Sequence, residues 1–79
     1  MRYYFQLSDG HRLTDNEGTV FEDLDAAKVE ATRIAGEWLR DNAAEFAEDG
    51  ALLVEVLDGD DAVLATIAVQ ADAPTGTMH

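Results

Sequence analysis

The chain has no cysteine and a single proline, and it carries only five Lys and Arg against seventeen Asp and Glu, a formal net charge of -12 over 79 residues. Each shortage closes a door. Without cysteine there is neither a disulfide framework nor a thiolate metal site. With so few cations the surface repels nucleic acid and anionic membrane, whose binding needs Lys and Arg to displace counterions, and it favours basic protein surfaces instead. No apolar run approaches membrane-spanning length, and the start, Met1 to Asp9, turns polar too early for the apolar centre of a signal peptide. A cytoplasmic location is the expectation.

Catalytic equipment is equally sparse. Ser8 is the only serine, and its neighbours Asp9 and His11 share one turn-like segment, whereas the members of a nucleophilic triad converge through the fold. The second histidine, His79, falls in the final segment. Acids are so numerous that paired carboxylates arise by chance, and exposed charge is their usual state. An enzyme working by paired carboxylates would need a deep cleft, for which so short a chain leaves little volume. No catalytic residue, no metal ligand and no cofactor is assigned from the sequence.

What is present is enough for one folded domain. Hydrophobic residues make up 47 % of the chain, too many for a disordered acidic segment. Arg2 to Leu7 is rich in aromatics and reads as a strand with Tyr3, Phe5 and Leu7 on one face. Ser8 to Gly18 has turn composition, and Thr19 to Glu22 reads as a short returning strand, giving a long-looped hairpin. A helix should start after Asp23, which can cap it, with Asp25 in its first turn. At 100° per residue Leu24, Ala27, Ala31, Ile34, Ala35 and Trp38 form one stripe with Leu39 and Phe46 at its margin, and Gly50 is the expected stop. Trp38 is the large buried anchor in this reading. Ala51 to Leu57 and Ala62 to Val69 then form a second hairpin around Asp58-Gly59-Asp60-Asp61. Leu52, Val54, Val56, Val63, Ala65, Ile67 and Val69 should face the helix. The expected fold is α+β: a single small ββαββ domain over residues 1–70, an antiparallel four-stranded sheet with one helix on one face, then a flexible tail over 71–79.

Tyr3-Tyr4-Phe5-x-Leu7-x-Asp9-Gly10, Asp15-x-Glu17-Gly18 and Asp23-Leu24-x-Ala26-Ala27-x-x-Glu30-Ala31 resemble the small bacterial proteins of domain-of-unknown-function family 6894. The likeness covers about the first seventy positions and is densest over the first forty. It implies a bacterial origin and the ββαββ order. It carries over no activity.

Two surfaces are candidates for function. Asp41, Glu45 and Glu48 recur at four- and three-residue spacing with Asp49 beside them and Glu37 one turn earlier. Carboxylates at the end of a helix oppose its dipole, so a role other than local stability is one reason to keep them. Spaced carboxylates can imitate phosphates and occupy the basic groove of a nucleic-acid-binding protein; solubility of an acidic protein is the plainer account. The second surface is the sheet face away from the helix, onto which alternation puts Tyr4, Gln6, Leu53, Glu55, Leu57, Leu64, Thr66 and Ala68. Tyr4, Leu53, Leu57 and Leu64 would form an apolar patch suited to a homodimer or a dedicated partner, unless the long first loop or the tail covers it. An exposed edge strand could also pair with its copy.

The sequence therefore points to a non-enzymatic acidic interaction module with a basic protein partner. Its sharpest form is an inhibitor of a nucleic-acid-binding machine, a phage-type anti-defence or DNA-mimic protein. The alternatives are an antitoxin-like partner, or a homodimeric domain that takes a small ligand near Trp38 or a divalent cation among the loop acids Asp9, Asp15, Glu17, Asp58, Asp60 and Asp61. Turn chemistry accounts for those acids without a metal.

Overall fold

A computed structural model describes residues 1–9, 17–48 and 50–71, together with the backbone of 12–14. Strand β1 (Arg2–Ser8) leads into β2 (Arg12–Thr14) and β3 (Thr19–Val20). Helix α1 (Leu24–Asp41) is followed by the short α2 (Ala43–Ala47), then β4 (Ala51–Leu57) and β5 (Val63–Gln70). All pairings are antiparallel, in the order β2-β1-β4-β5, with β3 also pairing with β1. The α+β architecture with one main helix on an open sheet is the one expected.

The first hairpin departs from expectation. Residues 12–14, expected in the turn, form β2, with Ser8 opposite Arg12 and Gln6 opposite Thr14. Pairing with β1 resumes at Thr19 opposite Tyr3. The run Ser8 to Gly18 had turn composition because four residues, Asp15 to Gly18, intervene between the two paired pieces. The strand β3 stops at Val20, although Phe21 still exchanges backbone hydrogen bonds with Met1.

The helix begins where its cap predicts. Asp23 is extended at φ -155°, and its Oδ1 accepts from the Ala26 amide at 2.9 Å. Ala27, Ala31 and Ala35 are buried on the sheet-facing stripe, and their small side chains let the backbone close on Leu52, Val54 and Val56. Tyr3 and Phe5 complete this core from β1. Phe21 adds its ring to both, 6.2 Å from Tyr3 and 6.0 Å edge-on to Phe5. Trp38, expected as the large buried anchor, is half-buried at the rim and meets Phe46 edge-on at 6.1 Å.

The helical stretch does not run unbroken to Gly50. Asn42 leaves helical geometry at φ -125° and separates α1 from α2. Both its backbone N–H and its side-chain Nδ2 donate to the Trp38 carbonyl, each at 2.9 Å. Four-residue steps nevertheless continue through the break, from the Phe46 amide to the Asn42 carbonyl and from the Gly50 amide to the Phe46 carbonyl. Gly50 lies beyond the C-cap Glu48 in close approach to the helix: a Cβ there would lie 2.7 Å from Phe46 Cα. Its carbonyl then receives the Ala71 amide, joining the helix end to the end of β5.

The closing hairpin contains a correction of facing. Val56 pairs with Ala65 but Leu57 with Val63, leaving Leu64 as an extra residue in a bulge. The register therefore moves Val63 off the helix-facing row, where period-two alternation had put it, and beside Leu57 and Tyr4.

Candidate functional site

The acids proposed from sequence fall into different surroundings. Glu37 is drawn away by Arg33, whose Nη1 donates to its Oε2 at 2.7 Å. The same guanidinium holds Glu30 with two donors, Nε to Oε1 at 2.9 Å and Nη2 to Oε2. These bonds pull the Glu30 carboxyl below its ordinary value against an opposing effect of burial, and they raise Arg33 further into its protonated range. Asp41 is exposed at the end of α1 with Arg40 Nε 3.5 Å away. Glu45 and Glu48 are exposed, and among the described residues neither takes part in a salt bridge. Asp49 lies outside the described residues.

The break at Asn42 changes the electrostatic reading of this group. Read as one helix, Glu45 opposed the dipole at the C-terminal end; in the structure it lies in the first turn of α2, where a negative charge is favoured. Glu48 is the C-cap of the same short helix. Because hydrogen bonding keeps its four-residue step across the break, Asp41, Glu45 and Glu48 stay on successive turns.

The sheet face away from the helix is organised in rows fixed by the strand register. One row runs Tyr4, Leu57, Val63; the next Gln6, Glu55, Thr66; the third Ser8, Leu53, Ala68. The middle row is polar, with Gln6 Nε2 donating to Glu55 Oε1 at 2.9 Å. Tyr4, Leu53, Leu57 and Leu64, expected as one patch, are thus divided, with Leu53 set apart from the others. Leu57 is only 7 % exposed and offers a partner little surface. The corner around Tyr4 is covered in part by the first loop, since Gly18 packs against the Tyr4 ring and Arg2 Nη1 donates to the Glu17 carbonyl at 2.8 Å. Alternation gave the face of these residues other than Val63; it could not give the Gln6 to Glu55 bond or the bulge, which depend on register.

The acids of the closing hairpin serve its turn. Asp58 Oδ1 accepts from the amides of Asp60 at 2.8 Å and Ala62 at 3.0 Å, and Asp61 takes the left-handed conformation at φ 65°. No three His, Asp or Glu side chains among the described residues converge as metal ligands. Asp15 and His11 lie outside those residues, and Ser8 sits in β1 between Arg12 and Leu53. A shallow apolar depression lies at the end of the sheet, lined by Leu52, Leu53, Ala68 and Val69 among others. Trp38 does not border it. No helix among the described residues is long and apolar enough to cross a membrane.

Comparison with curated proteins and with solved structures returned no match. A family model described as a domain of unknown function, DUF6894, matches residues 2–70 and so takes in every strand and helix described above. The chain belongs to the DUF6894 family.

Proposed function

We propose that this domain is a non-enzymatic, cytoplasmic interaction module that presents Asp41, Glu45 and Glu48 to a basic surface of a protein partner. The most specific form of this reading is an inhibitor that occupies the nucleic-acid groove of its target, of the phage-type anti-defence or DNA-mimic kind. The observation that carries it is the contrast in charge pairing along one helical stretch. Arg33 is placed to serve Glu30 and Glu37, whereas Glu45 and Glu48 project from α2 with no described cation in reach. Complementary charge of this kind steers encounter and sets partner choice more than it adds raw affinity.

The test is capture from a bacterial lysate with the tagged protein at low and high salt, beside a triple variant carrying Asp41→Lys, Glu45→Lys and Glu48→Lys. The reading expects a nucleic-acid-binding partner that is lost at high salt and lost from the variant, while the variant's far-UV spectrum is unchanged. A purified partner should also lose its nucleic acid when the domain is added. Partners that bind the folded variant equally well would overturn the assignment.

A further inference from the structure

Strand β5 ends the sheet: among the described strands only β4 pairs with it. Its backbone polarity follows from one bond. The Ala71 amide donates to the Gly50 carbonyl at 3.0 Å, so the residues in step with it, Val69, Ile67 and Ala65, direct their amides and carbonyls at β4. Thr66 and Ala68 direct theirs outward, and both residues are exposed. Proteins usually protect such an edge with a charged side chain, a proline or a short strand. Val63 to Gln70 has none of these protections: the strand is eight residues long and holds no Asp, Glu, Lys, Arg or Pro. Its bulge lies at one end and leaves the rest straight. Two of the exposed large apolar side chains, Val63 at 51 % and Leu64 at 37 %, also belong to it.

We infer that β5 is the docking edge for a second copy of this chain, paired antiparallel about a two-fold axis at Ile67 to make one continuous sheet. The charge argument selects a second copy. Two molecules of net charge -12 repel, least where neither carries acid at the contact, and among the described strands longer than two residues β5 alone has no ionisable side chain. The strand is also complementary to itself. With Ile67 opposite Ile67 of the second copy, Ala65 meets Val69 on the helix side and Thr66 meets Ala68 on the other, small against larger in both layers. That register keeps every helix-facing residue on the helix side and puts the outward amides and carbonyls of Thr66 and Ala68 against each other. A single strand edge buries less than a standard dimer interface, so the association is weak and depends on concentration.

The inference is independent of the acidic-surface reading, and salt separates the two. Screening weakens attraction between the acidic helix and a basic partner, but it relieves repulsion between two copies and strengthens their pairing. The experiment is sedimentation equilibrium of the full chain from about 10 µM to about 1 mM, at about 0.05 M and about 0.5 M salt. Amide exchange is followed by NMR on the same samples. The expected result is a monomer–dimer equilibrium tightened roughly threefold or more by salt. In the dimer the Thr66 and Ala68 amides become slower to exchange, and those of Ala65, Ile67 and Val69 change little. Ala68→Pro removes an outward amide and none of the bonds to β4, and should leave a folded monomer. If that variant fails to fold, the wild-type exchange pattern decides. A monomer throughout, a dimer loosened by salt, or a dimer that leaves Thr66 and Ala68 unprotected would each overturn the inference; the last is expected of face-to-face packing through Leu53 and Leu64.

Discussion

Gly18 and Tyr4 are locked together by the absence of a side chain. A Cβ on Gly18 would lie 2.8 Å from Tyr4 Cε2 and 2.9 Å from the Tyr3 carbonyl, and Gly18 itself holds the left-handed conformation at φ 73°. Backbone geometry and contact therefore demand glycine for separate reasons. The pair fixes where the chain re-enters the sheet after Asp15 to Gly18, and it shields the Tyr4 corner of the outer face.

Gly18→Ala should accordingly destabilise the domain by about 1 to 3 kcal/mol, the sum of a left-handed alanine and a clash that backbone must absorb. Urea unfolding measures this directly. A shift in midpoint at unchanged slope is the expected form, because the compactness of the folded state is kept. A variant as stable as the parent would mean that β3 and Tyr4 can separate at little cost.

The rim of the core supplies a second prediction. Trp38 is half-buried, and its ring contact with Phe46 ties α1 to α2. Truncating a fully buried Trp costs about 3 to 5 kcal/mol, so Trp38→Ala should cost nearer 2 to 3. The domain should remain folded at low temperature with α2 detached. Chemical shifts of Ala43 to Ala47 moving toward random-coil values, with β4 and β1 unchanged, would show this. Complete unfolding would mean that α2 is part of the cooperative core.

Most of this fold was legible because it rests on period and punctuation. The aromatic alternation of β1, the Asp23 cap and the Ala27, Ala31, Ala35 stripe each follow from side-chain spacing alone. The errors share a physical cause: they lie where hydrogen bonding, not hydropathy, decides. β2 was missed because three paired residues sit between turn-rich segments. The break at Asn42 was missed because its side chain competes for the Trp38 carbonyl inside an apolar pattern that continues through it. Val63 was placed on the wrong face because a single bulge residue reverses the alternation beyond it. For the candidate site, the acids were visible in the sequence. Their sorting into those served by Arg33 and those left exposed needed three dimensions.

The helix start gives a third prediction. Asp23→Ala removes the Oδ1 acceptor of the Ala26 amide and should cost about 0.5 to 2 kcal/mol, whereas Asp23→Asn or Asp23→Ser should restore most of it. Comparing the alanine and asparagine variants by thermal unfolding separates the cap from mere loss of one negative charge. If charge relief on so acidic a chain outweighs capping, alanine and asparagine will behave alike.

The Glu30, Arg33, Glu37 cluster has a pH signature that can be isolated from the rest of the charge. Hydrogen bonds from Arg33 hold the Glu30 carboxyl below its ordinary 4.5 in the folded state. A carboxyl depressed on folding stabilises the fold above its ordinary value, and that contribution fades as pH falls through the depressed one. Acidification also relieves repulsion over the whole chain, so the stability of the wild type alone does not isolate this cluster. The difference between wild type and Arg33→Ala removes that shared background. It should favour the wild type by a nearly constant small amount from pH 7 down to about 4.5, then shrink toward zero as Glu30 takes up its proton in both proteins. Added salt should reduce the plateau at pH 7, because all three side chains face solvent to a considerable degree. A difference that grows on acidification would mean that Arg33 stabilises the helix by packing its stem and not by pairing its charge.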